Sequence, residues 1–170
     1  MKKISENCLF NGQWLGINES IFENKNGDLI KWESVIRRNN SSCVVIIPKL
    51  KPSNRFILIK QYRPSINGYI LGFPAGLDNH CDEKIIEELK EETGYTGVIR
   101  NISPLIRSNS GVVDDRGKVV YMEIDENDLV NKNPTQQLEP SEEIEVIVLH
   151  KSDIKDYLMK HTRLLTFLFL

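Results

Sequence analysis

A chain of 170 residues, 40 % of them hydrophobic, suits one globular domain with its own core and is too short for two large ones. Charged residues make up 27 % and nearly cancel, leaving a formal net charge of -2, which excludes the basic footprint of a nucleic-acid binder. A phosphate-bearing partner must therefore be met by local cations or by a metal. The three cysteines, Cys8, Cys43 and Cys81, are odd in number and lack metal-ligand spacing, which favours a reducing, cytoplasmic compartment. Met1 to Asn7 lacks the apolar stretch of a signal peptide. Leu164 to Leu170 is apolar but far shorter than a membrane span, so no membrane role is expected. That tail reads as the start of a packed helix or an oligomer contact.

In chain order, two β-rich runs come first, roughly Trp14 to Glu23 and Leu29 to Arg38. The Asn26-Gly27 pair between them is a strong hairpin signal. Cys43 to Ile47 follows as a buried strand closed by Pro48, then Phe56 to Ile59, then Tyr69 to Phe73 ending at Pro74. From Asp82 to Glu92 the period changes. Ile85, Ile86 and Leu89 recur at three and four residues with charges elsewhere, the pattern of an amphipathic helix. Asp78, Asn79 and Asp82 are available as N-caps, and Gly94 stands where a C′ glycine belongs. Strands are expected near Val98–Ile102, Val119–Ile124 and Ile144–Leu149, and a second helix over Ser152–Lys160. Many strands with few helices between them indicate an α+β architecture rather than a doubly wound sheet.

The helix is crowded with acid. Glu88 and Glu92, four apart, project together with Glu91 beside them, and Glu83, Glu87 and Glu91 form a second row. Only Lys84 and Lys90 offset them within the helix. Carboxylates near a helix C-terminus also oppose its dipole. A divalent cation relieves both costs, and oxygen donors of this kind suit Mg²⁺ or Mn²⁺. A solvated acidic face is the plain alternative for the helix alone.

The flanking residues decide between them. Phe73-Pro74-Ala75-Gly76-Leu77, followed by Glu88-Leu89-Lys90-Glu91-Glu92-Thr93-Gly94-Tyr95, resembles the box of the Nudix hydrolases, whose second half it fits at every fixed position. Gln61-Tyr62-Arg63-Pro64, Pro74-Ala75-Gly76, Trp14 and Trp32-Glu33-Ser34-Val35 resemble segments of the ADP-ribose pyrophosphatase subfamily. The resemblance runs from about Asn11 to Lys160. It implies an α+β Nudix fold, a mixed β-sheet sandwiched between helices. Residues 1–40 would form an N-terminal β-hairpin extension for dimerisation and adenine contact, and residues 41–170 the Nudix domain. By position it implies a metal site of Glu88, Glu91, Glu92 and the carbonyl of Ala75, holding Mg²⁺ or Mn²⁺. Glu91 would also help in catalysis. A loop glutamate would assist the chemistry: Glu142 is the first choice and Glu143 the alternative, since the register there is ambiguous. Arg63 would contact phosphate or ribose through its planar donor fork. Trp14 and Trp32 would stack on adenine, with core or dimer-interface burial as the other reading, and Arg37 would support the same pocket. The resemblance further implies a homodimer with exchanged N-terminal strands.

Three departures stand out. Gly76 lies three residues closer to Glu88 than the family spacing gives. Glu87 occupies the place of the box arginine, where an anion is expected to raise the pKa of its carboxylate neighbours. The segment Arg107 to Asp115 lacks the Pro-Gly loop of the subfamily. The leading expectation is a Mg²⁺-dependent pyrophosphohydrolase that cuts ADP-ribose to AMP and ribose 5-phosphate. The alternatives are a nucleotide-binding module without turnover, and a hydrolase of another nucleotide-sugar such as GDP-mannose.

Overall fold

The computed structural model describes residues 1–38, 42–78 and 81–161. The apolar tail and Asn79 lie outside the described residues. Two compact units are present: Met1–Cys43 with Leu105–Gly117, and Val44–Pro104 with the described residues from Lys118 onward.

The first unit is built on a three-stranded antiparallel sheet, β1 (Lys2–Asn11), β2 (Leu15–Glu23) and β3 (Leu29–Arg37). The expected hairpin is β2–β3. Asn24 organises its turn: the side-chain carbonyl accepts from the N–H of Asn26 at 2.8 Å and of Asp28 at 2.9 Å, and Gly27 takes the left-handed φ of 86° that the turn requires. A further strand, β1, joins the hairpin. Every one of its residues is exposed, so no buried stripe marked it in the sequence.

The second unit carries most of a large mixed sheet of eight strands. Its path runs β11 (Ile144–His150), β5 (Arg55–Arg63), β4 (Ser42–Lys51), β10 (Arg116–Asp125) and β8 (Val98–Ile102). Short strands β6 (Gly68–Gly72), β7 (Ala75–Asp78) and β9 (Ile106–Arg107) attach to β5, β4 and β10. Pro48 does not close β4 as expected. Pairing with β5 begins only at Lys49↔Phe56, so Pro48 sits outside that paired stretch, and its buried side chain keeps the inward alternation of Val44, Ile46 and Leu50.

Helices cover both faces of this sheet. Ile57 packs with Ile85 and Leu89 of α1 (Asp82–Thr93), whereas the next residue, Leu58, packs with Leu158 of α3 (Lys151–Lys160). Neighbouring residues of a strand point to opposite faces, so β5 is buried on both sides. Val146 and Val148 of β11 face the first cluster and Ile147 and Leu149 the second. A one-turn helix, α2 (Leu129–Lys132), follows β10. Among the described residues no helix is long and apolar enough to cross a membrane.

Candidate active site

The helix α1 places the acidic residues as its period demands. Ile85 and Leu89 are buried in the core, which turns Glu83, Glu87 and Glu91 to solvent and leaves Glu88 half-buried. The helix ends at Gly94, whose φ of 78° and N–H bond to the Lys90 carbonyl at 2.7 Å make it the expected glycine cap. The expected side-chain N-cap is absent. The capping position is Cys81, with no side-chain cap bond, and Asp82 is already the first helical residue, where its charge favours the dipole.

Glu92 is the most unusual group in the second unit. Its side chain is 1 % exposed. One carboxylate oxygen accepts from the backbone N–H of Ala75 at 2.9 Å; the other, Oε1, is buried with no hydrogen-bond partner. Burial, with the charges of Glu88 and Glu142, pushes the Glu92 pKa up to about 8, against the pull of the Ala75 N–H and Arg63. Glu88 is raised too, first by burial and then by Glu91, Glu142 and Glu139. Its carboxylate lies against Gly76, close enough that a Cβ there would overlap it. The Pro-Ala-Gly turn thus serves both carboxylates: Ala75 offers an N–H to Glu92, and Gly76 leaves room for Glu88.

The expected effect of Glu87 is not what raises these groups. Its carboxylate is exposed and ion-paired with Lys84 one turn away, while burial and Glu91, Glu139 and Glu142 act on Glu88. The two loop glutamates separate by their partners. Glu142 lies near enough to raise both Glu88 and Glu92, and its carboxylate accepts from the Glu139 N–H at 3.0 Å. Glu143 is engaged elsewhere: the Tyr69 hydroxyl donates to its carboxylate, and its carbonyl accepts from the Tyr62 N–H at 3.0 Å. Arg63 ends β5 because Pro64 follows it, and its half-buried charge reaches Glu92.

These residues fit a hard divalent cation. The donors are carboxylate oxygens, the local charge is strongly negative, and a buried oxygen of Glu92 has no other partner. Among the described residues, no three acidic, histidine or cysteine side chains already surround one point. Like charges hold one another apart, and a cation is what would draw them together.

In the first unit, Trp14 and Trp32 are 70 % and 48 % exposed, which overturns core burial for both. Trp32 donates through its indole N–H to the Gly111 carbonyl at 3.1 Å. Arg37 makes a forked ion pair with Asp115, Nε to Oδ1 at 2.6 Å and Nη2 to Oδ2 at 3.2 Å. Val35 bonds on both sides of Val113, its N–H to the Val112 carbonyl at 2.8 Å and its carbonyl to the Asp114 N–H at 3.1 Å. The segment that departs from the subfamily pattern therefore docks on the strand that carries Trp32 and Arg37. Nothing in its composition signalled Gly111 or Asp115 as their partners. Tyr69 carried no signal for the same reason, since its bond to Glu143 joins residues far apart in sequence.

The chain is similar to several known proteins. A protein from Caenorhabditis elegans named putative nudix hydrolase 2 is 30 % identical over 90 % of this chain and 74 % of its own length. The chain belongs to the Nudix hydrolase family. An ADP-ribose pyrophosphatase from Saccharomyces cerevisiae is 34 % identical over 82 % of this Nudix chain, which spans 66 % of that protein. An ADP-sugar pyrophosphatase from Mus musculus is 32 % identical over 88 % of the chain and 73 % of its own length. A crystal structure of an ADP compounds hydrolase superposes with a TM-score of 0.71 at 20 % identity, covering 94 % of this chain and 84 % of its own; it supports the Nudix fold. No family model matches the chain.

Proposed function

We propose that this Nudix enzyme is a metal-dependent pyrophosphohydrolase of nucleoside diphosphate compounds, and that it cuts ADP-ribose to AMP and ribose 5-phosphate. The observation that carries the reading is the buried Glu92, with one oxygen held by the Ala75 N–H, the other unpartnered, and the charges of Glu88, Glu142 and Arg63 acting on it. The names of the yeast and mouse relatives supply the substrate class. Glu88, Glu91 and Glu92, with the Ala75 carbonyl, are the ligands; Mg²⁺ is the working ion and Mn²⁺ a substitute. When bound, the ion acidifies water and neutralises phosphoryl charge.

The chain's own residues do the rest. Water adds to one phosphorus, the bridging P–O bond breaks, and the attacking water gives up a proton. Glu142 is the acceptor for that proton, a choice supported by its charge acting on Glu88 and Glu92 while Glu143 is bonded to Tyr69. Arg63 holds phosphate oxygens through its guanidinium. Trp14 and Trp32 stack on the adenine in this reading, which their exposure supports, and Arg37 pairs with Asp115 of the segment beside β3. A cytoplasmic setting suits the three free cysteines.

Purified protein with Mg²⁺ and a panel of ADP-ribose, ADP-glucose and GDP-mannose tests this by release of AMP or GMP. AMP from ADP-ribose is the expected product. Release of GMP alone would move the substrate to a guanine nucleotide-sugar. A second reading, nucleotide binding without turnover, rests on Glu87 in place of the box arginine and on carboxylates not yet gathered round one point. It predicts calorimetric binding with no product, even at high enzyme concentration. It also predicts that Glu92→Gln leaves metal-free nucleotide affinity unchanged, whereas on the hydrolytic reading the same change lowers kcat by about two orders of magnitude or more.

A further inference from the structure

An α-helix leaves its last carbonyls without partners inside the helix. In α1 two of those carbonyls belong to Glu91 and Glu92, which carry the site. The Lys90 carbonyl accepts from the Gly94 N–H at 2.7 Å, the Glu91 carbonyl from the Gln137 N–H at 2.8 Å, and the Glu92 carbonyl from the side-chain amide of Gln136 at 2.7 Å. The same amide nitrogen donates to the carbonyl of Ile144 at 3.1 Å. An amide nitrogen has two hydrogens, so both bonds form at once. Ile144 opens β11 two residues after Glu142. One half-buried side chain thus joins the end of the carboxylate helix to the end of the loop that brings Glu142 to it. The backbone of Pro134 and Thr135 presses on Gly94 with no room for a Cβ between them, which seats this segment against the helix end.

We infer that Gln136 is a positioning residue for the metal site: it sets the separation between Glu88, Glu91 and Glu92 on α1 and Glu142 on the loop. The inference rests on the reading of these carboxylates as metal ligands. Ligands that repel one another depend on a rigid frame, and displacements of about 1 Å in such a frame are costly for binding and rate. A bond that merely stabilised the fold would affect melting and leave the affinity of the folded protein alone. A positioning bond changes affinity and kcat in protein that remains folded.

The test uses the full chain with Gln136→Met, which keeps side-chain length and removes both donors. Mn²⁺ affinity is measured from the free-ion electron paramagnetic resonance signal, on protein shown to be folded by circular dichroism and thermal melting. The kcat and KM for ADP-ribose are measured alongside. The expected result is Mn²⁺ binding weaker by about 10-fold or more, within the range known for residues that orient metal ligands, with kcat reduced by a similar factor. KM should change by less than about twofold, since uniform substrate binding is untouched. Wild-type Mn²⁺ affinity in folded Gln136→Met overturns the inference whatever its melting temperature. Should that variant not fold, Gln136→Asn, whose amide is too short to reach both carbonyls, is judged by the same criterion. Wild-type protein that binds no Mn²⁺ at millimolar concentration sinks the metal reading itself, whereas wild-type binding with an unaffected variant sinks only the role of Gln136.

Discussion

Glu92 shows how burial and function pull against each other at one residue. Its pKa is raised from 4.5 to about 8 by burial and by Glu88 and Glu142. Below about pH 4.5 the group is protonated in folded and unfolded chains alike. Between 4.5 and 8 the unfolded chain releases a proton that the folded chain keeps, so the metal-free protein loses stability as pH rises through that window. A shift of this size is worth on the order of a few kcal/mol. Denaturant titrations of metal-free protein should therefore show lower stability at pH 8 than at pH 5, and Glu92→Gln should flatten that slope. Excess Mg²⁺ at pH 8 should restore stability to the wild type but not to the variant, because the cation takes the place of the proton. A metal-free protein equally stable at both pH values would remove the argument.

At the level of elements, two glycines flank the same helix for different reasons. At Gly94 a Cβ would run into the backbone of Pro134 and Thr135, and the residue also needs a positive φ of 78°. Backbone cannot step aside, so Gly94→Ala should lower stability by about 2 kcal/mol or more, read as a drop in melting temperature. At Gly76 the three atoms nearest such a Cβ all belong to the carboxylate end of Glu88, a flexible group that can swing away. Gly76→Ala should leave the melting temperature nearly unchanged and still reduce metal affinity and turnover. Equal losses of stability in the two variants would contradict this division. The helix itself was legible in the sequence because Ile85, Ile86 and Leu89 give the period and Gly94 the stop, and β8 fell on its expected residues. The strand β7 carries no such signal. Its four residues start at the Pro-Ala-Gly turn, and pairing with β4 makes it a strand. Pro48 misled for the opposite reason, since a local breaker is tolerated where the ladder to β5 has not begun. The acidic set was readable by motif, but the causes of its pKa shifts were not. Glu139 and Glu142 approach the helix only through the fold, and Glu87, the departure visible in the sequence, faces solvent beside Lys84.

For the molecule as a whole, the first unit leaves an apolar cluster exposed at one end of its three-stranded sheet among the described residues. Register puts Phe10 opposite Ile17 and Ile17 opposite Val35, so these residues and Leu15 share one end of a sheet face whose other end carries Glu19, Glu23, Lys31 and Glu33 around Leu29. Phe10 is 58 % exposed, Leu29 67 % and Leu15 48 %. Trp32 belongs to the opposite face, beside the buried Ser20. A small sheet gains stability in water from a covered apolar cluster, and an exposed cluster such as that of Phe10, Leu15 and Ile17 marks an association surface. A second copy of the chain is the expected cover, the homodimer that the family resemblance implies. Sedimentation equilibrium should then give about 39 kDa, twice the 19.6 kDa chain. The double variant Phe10→Asp, Leu15→Asp should shift the mass to that of one chain, because each buried carboxylate would add a desolvation cost of several kcal/mol to the interface. Val44 to Pro104 contains none of these residues, so Mn²⁺ binding by the carboxylate helix should survive the double variant. A wild-type chain that sediments as a monomer at micromolar concentration would leave the apolar cluster without its partner.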